Sequence, residues 1–123
     1  MQTVMDSYAG GIATGYSFNE KQLDIAEERI SQLETLSNEL RAEDFHELMF
    51  IYELRERLTV CKSVIAHLKA RRETRWAGFS YNLDYPEKDN GFGDVFINSR
   101  LENGNIKVIL RDISKRQVRD DER

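Results

Sequence analysis

Six residues in the middle of the chain, Ile51, Leu54, Leu58, Cys61, Ile65 and Leu68, recur at steps of 3, 4, 3, 4 and 3. An α-helix turns once every 3.6 residues, so this spacing lays all six along one face. The repeat is close to the 3.5-residue period of helices packed in left-handed bundles. Phe45, Leu48, Val60 and Val64 widen the stripe. The pattern predicts a helix that starts near Asp44 and runs to Thr74. Its roughly 30 residues would span about 45 Å at 1.5 Å per residue. A helix of that length needs an elongated bundle or an outside partner along its flank.

A partner helix is written upstream. Asn19 is a good N-cap, with Glu20 inside the first turn. Leu23, Ala26, Ile30 and Leu33 follow at steps of 3, 4 and 3, and Leu36 and Leu40 carry the stripe on, slightly rotated. This predicts an amphipathic helix over 19–41. Val4, Met5 and Tyr8 give a shorter helical pattern that ends at the Gly10-Gly11 pair, followed by a loop.

After Trp76 the pattern changes. Gly78, Pro86 (the only proline), Asn90-Gly91 and Gly93 mark irregular chain. Val95 and Ile97 alternate with polar neighbours, as do Ile106, Val108 and Leu110. Between these runs stands Glu102-Asn103-Gly104, and an Asn-Gly turn between alternating runs predicts a β-hairpin at about 94–111. A lone hairpin is marginal in water, so it should lean on the helices. The expected organisation is a helical bundle over 1–76 and an irregular extension over 77–123 that packs on it, in one structural unit. The charged residues Gln117 to Arg123 read as a frayed end.

Bulk properties narrow the function classes. A chain of 123 residues suits one domain, and 40% hydrophobic against 33% charged residues fits solvated helices better than a thick core. The net charge of −4 carries no electrostatic footprint for nucleic acid. One cysteine makes no internal disulfide, and no Cys/His zinc spacing exists, which fits a reducing compartment. No apolar run approaches a membrane span of roughly 18 residues. Met1 to Asp6 lacks the basic and apolar regions of a signal peptide.

Candidate chemistry is sparse. His46 and His67 lie 21 residues apart on one helix, about 30 Å along its axis, so they cannot share a ligand within the chain. Cys61 falls on the apolar stripe and reads as a small core hydrophobe. Gly10 to Gly15 is glycine-rich but lacks the Lys-Ser/Thr of a phosphate loop and the Gly-x-Gly-x-x-Gly of a dinucleotide site. Asp84, Glu87 and Asp89 do not match a calcium-loop spacing and read as turn carboxylates. No catalytic, cofactor-binding or metal-ligating residue is assigned.

Lys69, Arg71, Arg72 and Arg75 form a basic cluster at the expected helix end. Three readings compete. The cations could simply answer the helix macrodipole, at about 0.3–1 kcal/mol each. They could touch nucleic acid, although four cations on an acidic background argue weakly for that. Or they could form an ion-pair network with carboxylates such as Glu73 or with an acidic partner. The adjacent Trp76 and Phe79 favour the third, since Arg and aromatics together are the usual make-up of an interface hot spot.

Several segments resemble the C-terminal helical domain of the flavoprotein subunits of the succinate dehydrogenase, fumarate reductase and adenylylsulfate reductase family. Met5-Asp6-Ser7-Tyr8-Ala9-Gly10-Gly11 is similar to the segment that opens that domain. His46-Glu47-Leu48 and Glu53 to Leu58 are similar to its long helix. Arg72-Glu73-Thr74-Arg75-Trp76 resembles its Arg-x-Glu-Ser/Thr-Arg signature, and Asp84 to Asp89 its downstream turn. The resemblance covers residues 2 to 100 and leans toward adenylylsulfate-reductase-like members. One departure stands out: where the family has Asp-x-x-Trp, this chain continues with Asn90-Gly91-Phe92.

The resemblance implies a mainly α fold: a three-helix, spectrin-repeat-like up-down bundle with a C-terminal extended segment and β-hairpin. It implies Arg72, Glu73 and Arg75 as helix-end packing and ion-pair residues and Tyr85 and Pro86 as fixing the turn, beside Trp76, which the residues themselves mark as an interface residue. FAD is expected in the parent subunit, outside this sequence. The implied partners are the parent's flavin-binding domain and an iron-sulfur subunit, in a cytoplasmic enzyme at or near the membrane face but not inserted in it. The expected role is non-catalytic. The alternative is a free-standing interaction module that forms a homodimer through the Ile51-to-Leu68 stripe.

Overall fold

A computed structural model describes residues 1–113. The chain is mainly α, as expected: three helices, with an antiparallel strand pair at the end of the described chain. They are α1 (Gln2–Tyr8), α2 (Glu20–Ser37) and α3 (Phe45–Ala70). Four strands accompany them: β1 (Ser17–Phe18), β2 (Tyr81–Asn82), β3 (Val95–Glu102) and β4 (Asn105–Asp112). The expected frayed end, Gln117 to Arg123, lies outside the described residues.

α2 and α3 pack antiparallel, and a ladder of contacts fixes their register. Lys69 pairs with Asp24 at 2.7 Å and with Glu27, Lys62 pairs with Glu34 at 2.9 Å, and the Arg55 guanidinium donates to the Ser37 carbonyl at 3.2 Å. Arg55, Lys62 and Lys69 are seven residues apart, each one place after a residue of the apolar seam. That is the flanking position from which bundle helices exchange ion pairs. Between the helices lie Leu23, Ala26, Ile30, Leu58 and Ile65, all buried, with Leu54, Cys61 and Leu68 packed beside them. Each fully buried leucine or isoleucine contributes about 1.5–3 kcal/mol. The Ile51-to-Leu68 stripe therefore faces α2 within the same chain, and homodimer formation through it would need that core to open.

The short α1 lies across this pair. Its Met1, Val4, Met5 and Tyr8 pack on the core, with the Tyr8 ring 5.2 Å beneath the Arg29 guanidinium. Gly10 turns the chain with φ at 73°, and Gly11 passes so close to α1 that a Cβ there would fall 2.3 Å from the Asp6 Cα. The turn is closed by Asp6, whose carboxylate accepts the Ala13 N–H at 3.1 Å.

Both long helices end earlier than their apolar spacing suggests. α2 stops at Ser37, where the Ser37 hydroxyl donates back to the Glu34 carbonyl at 2.6 Å and Arg55 takes the Ser37 carbonyl. Such bonds satisfy the orphan carbonyls of a helix end. Leu36 and Leu40, which continue the stripe in sequence, are exposed. α3 starts where expected: the Asp44 carboxylate accepts the Glu47 N–H, and the Glu47 carboxylate accepts the Glu43 N–H, both at 2.8 Å. It ends at Ala70 rather than Thr74, because Arg71 is already extended, with φ −89° and ψ 94°.

The chain beyond α3 returns to the bundle. β2 pairs in parallel with β1, with Ser17 opposite Tyr81 and Phe18 opposite Asn82. This two-residue pairing has no periodicity by which a sequence could announce it. β3 and β4 form a hairpin whose turn, Asn103 and Gly104, has φ of 52° and 78°. Two central residues with positive φ match the right-handed twist of the strands. The hairpin lies on α3: the Ser99 hydroxyl is 2.9 Å from His67 Nε2 and 3.1 Å from the Ser63 hydroxyl, and Lys62 donates to the Gly104 carbonyl at 3.0 Å.

A candidate docking site at the turn after the long helix

The Arg-rich turn is organised around one carboxylate. Once the helix unwinds at Arg71, alternate residues of the extended chain share a side. Arg71, Glu73 and Arg75 therefore converge. Arg71 Nη1 donates to Glu73 Oε1 at 2.6 Å, Arg75 Nε to Oε1 at 2.9 Å, and Arg75 Nη2 to Oε2 at 3.0 Å. The Asp89 N–H adds a fourth bond, to Oε2 at 2.9 Å, and Arg75 Nη2 closes the ring by donating to the Asp89 carbonyl at 3.1 Å. The Glu73 side chain is 0% exposed. Burial alone would raise its pKa, but the bonds from Arg75, the Asp89 N–H and Arg71 hold it below the ordinary carboxylate value.

The ion-pair role expected of Arg72 falls to Arg71, and Arg72 is exposed. The Arg-x-Glu-Ser/Thr-Arg spacing, laid with its glutamate on Glu73, begins at Arg71 rather than Arg72, and that is the source of the difference. Lys69 belongs to the α2 ladder. Burial lowers its pKa, but the hydrogen bonds and charges of Asp24 and Glu27 outweigh that and raise it. Of the four cations in the cluster, three are thus matched by carboxylates inside the chain.

Thr74 faces the other way and is buried. Its hydroxyl accepts the Asn82 N–H at 3.0 Å and lies 2.8 Å from the Tyr85 carbonyl, to which it donates, while its N–H donates to the Glu87 carbonyl at 3.1 Å. The buried Asn82 carries the turn onward, its Oδ1 accepting the N–H groups of Asp84 and Tyr85. Tyr85 and Pro86 sit on the exposed side of this turn. Arg71 also stacks over the Phe92 ring at 5.5 Å, so an aromatic at the position of the family's tryptophan does have a contact here.

Trp76 and Phe79 stand apart from this network. The Phe79 and Ser80 N–H groups donate to the Trp76 carbonyl, which closes a tight loop that presents both rings to solvent at 73% and 82% exposure. The site as a whole is a rigid polar buckle with a bare aromatic front.

The remaining candidates are accounted for locally. His46 packs edge-on against Phe50 at 4.7 Å, and His67 holds the hairpin. Burial pushes the Cys61 thiol up, which disfavours the reactive thiolate. The Asp84 carboxylate accepts the Glu20 N–H, and the Asp89 carboxylate accepts the Gly91 N–H. Among the described residues no group of three His, Cys, Asp or Glu is placed to hold a metal ion, and no helix is long and apolar enough to cross a membrane. The glycine-rich loop does not fit a flavin's phosphates: Asp6 fills it and would repel them.

No protein-family model matches the chain. The alpha subunit of adenylylsulfate reductase from Megalodesulfovibrio gigas is 33% identical over 97 residues, which cover 79% of this chain and 15% of that subunit. Two solved structures align over 91% of this chain with a TM-score of 0.82 and 37% identity. One is an adenosine-5-phosphosulfate reductase in complex with sulfite, the other the adenylylsulfate reductase of the hyperthermophilic Archaeoglobus fulgidus. The chain spans 17% of each of those chains, about a sixth of the length of the relatives it matches. By sequence and fold together, this chain is similar to a segment, about a sixth in length, of the adenylylsulfate reductase alpha subunit, in line with the resemblance carried by residues 2 to 100.

Proposed function

We propose that this chain is the non-catalytic helical domain of a flavin-dependent oxidoreductase subunit, of the adenylylsulfate reductase or fumarate reductase type. The observation that carries this is agreement of fold and sequence over nine-tenths of the chain, at 37% identity. The domain would buttress a flavin-binding domain and help dock an iron-sulfur subunit, with FAD held wholly outside residues 1–123. Two local features support a scaffolding role. The Glu73 carboxylate accepts four hydrogen bonds and so fixes the turn, and the turn displays Trp76 and Phe79 with no partner ring or cation against them among the described residues. We further propose the division of labour read from the sequence: bundle over 1–76, extension over 77–123.

The test uses the purified chain with FAD, reduced methyl viologen and either adenylyl sulfate or fumarate. The expected result is no flavin absorbance after gel filtration and no substrate-dependent dye oxidation. A yellow protein, or dye oxidation that needs this chain, would overturn the reading.

A further inference from the structure

The end of the α2–α3 hairpin far from the Trp76 loop is built unlike the rest of the molecule. Leu36, Leu40, Phe45, Met49 and Phe50 cluster around the helix turn and are all exposed, Phe45 at 90%. A helix that is apolar on its outer as well as its core face is ordinarily covered. A cleft of about 280 Å³ opens between Leu33, Leu36, Leu40 and Leu54, in line with the seam that α1 fills, and Met1 of α1 borders it. The apolar surface on which α1 packs thus continues beside Met1 to Leu36 and Leu40.

Charge says what kind of cover fits. Residues 36–50 hold Glu39, Glu43, Asp44 and Glu47 against Arg41, and Arg55 reaches into the same end at Ser37 and Asn38, which leaves an acidic surplus of two charges. Glu47 and Asp44 also accept local backbone N–H groups. An acidic rim around an apolar centre disfavours a second copy, which would bring two such rims together. It disfavours an anionic lipid surface for the same reason.

We propose that this tip is a docking surface for a polypeptide that presents an apolar patch bordered by lysine and arginine. The tip lies at the opposite end of α3 from the aromatic loop, and its assignment does not depend on the oxidoreductase reading.

The probes are two synthetic amphipathic helices with the same leucine stripe, one flanked by Lys and Arg, the other by Glu. Binding to the intact chain is measured by fluorescence anisotropy at about 0.1 M and about 1 M salt, between which the screening length falls from about 10 Å to about 3 Å. The basic probe is expected to bind roughly tenfold more tightly than the acidic one at low salt, a difference of about 1.4 kcal/mol. That preference should fade at high salt. The doubly substituted chain Phe45→Ser/Phe50→Ser should retain its helical circular dichroism and lose the binding. Equal binding of both probes, absence of binding, or binding unchanged in the substituted chain would overturn the proposal. So would a dimer of the unmodified chain, seen by sedimentation, that the two substitutions abolish, because the surface would then belong to a second copy.

Discussion

Asp84 caps a helix that begins 64 residues before it: its Oδ2 accepts the Glu20 N–H at 2.7 Å. Asn19 serves the same first turn from within, its Oδ1 accepting the Gln22 N–H at 2.8 Å. Two of the four orphan donors of α2 are therefore satisfied, one locally and one by the segment that follows α3. A carboxylate at that end also meets the positive pole of the helix dipole. Asp84→Ala is expected to lower stability by about 1 kcal/mol. Asp84→Asn should lose less, since the amide oxygen still accepts. Thermal unfolding of both variants, followed by circular dichroism, separates the hydrogen bond from the charge; equal losses would assign the effect to charge alone.

Removing Glu73 should hurt far more. In Glu73→Ala, Arg71 and Arg75 face each other without their counter-ion, and the Asp89 N–H loses its acceptor. Breaking a buried pair on one side is expected to cost about 3 kcal/mol. Glu73→Gln retains the shape and two acceptor sites and should fall between the two. Urea unfolding midpoints measure the order.

The same carboxyl sets an acid limb. Its pKa is lower folded than unfolded, so between the two values the unfolded chain binds more protons and stability rises with pH. The contribution is complete above the ordinary glutamate value of about 4.3 and disappears as pH falls through the folded value. The stability gap between the unmodified chain and Glu73→Gln should therefore narrow below about pH 4. A gap that stays constant to about pH 3 would show that Glu73 is not held ionised by folding.

The apolar seam made much of this fold legible. Spacing alone puts Leu58 and Ile65 in the core, and Asn19, Asp44 and Asn103-Gly104 announce two helix starts and a turn through side-chain chemistry that acts within three residues. The helix ends are harder to see. Leu36 and Leu40 continue the stripe of α2, yet the end is set by Arg55 reaching across from another helix. Glu73 reads as an ion-pair centre, and the Arg-x-Glu spacing marks Arg71 as its partner, but the convergence of residues 71, 73 and 75 follows only once helix gives way to extended chain. The cations at 55, 62 and 69 do carry a signal, their seven-residue spacing beside the seam, but it marks helix pairing and so stands outside any pattern of catalytic or ligand chemistry. The β1–β2 pairing leaves no trace at all, since two residues per strand define no period.

Phe92 offers a gain-of-stability test. It lies under the Arg71 guanidinium at 5.5 Å, where the resembling family has tryptophan. Tryptophan has the strongest ring quadrupole of the aromatic side chains, and a cation over its face is worth about 0.5–1 kcal/mol at exposed sites. Phe92→Trp is expected to raise the unfolding midpoint slightly, and Phe92→Leu to lower it. In an Arg71→Met background the gain from Phe92→Trp should vanish, and a double-mutant cycle reads that coupling.

Lys62 joins three elements at one ammonium. It sits on α3, pairs with Glu34 of α2 at 2.9 Å, and donates to the Gly104 carbonyl at the hairpin turn at 3.0 Å. Lys69 also bridges α3 to α2, but its partners are Asp24 and Glu27 and none lies on the hairpin. The pair therefore separates helix–helix from helix–hairpin adhesion. Hydrogen bonds to a charged group contribute about 1.5–3 kcal/mol, and partial exposure brings the Gly104 contact down to about 1 kcal/mol. Lys62→Met should let the hairpin open more often, with amide exchange at Lys107 and Ile109, whose N–H groups face β3, faster by roughly fivefold. Lys69→Met should leave hairpin exchange unchanged while lowering global stability by a comparable amount. Equal acceleration in both variants would mean that the hairpin opens only when the helices do, and that Lys62 is no separate anchor.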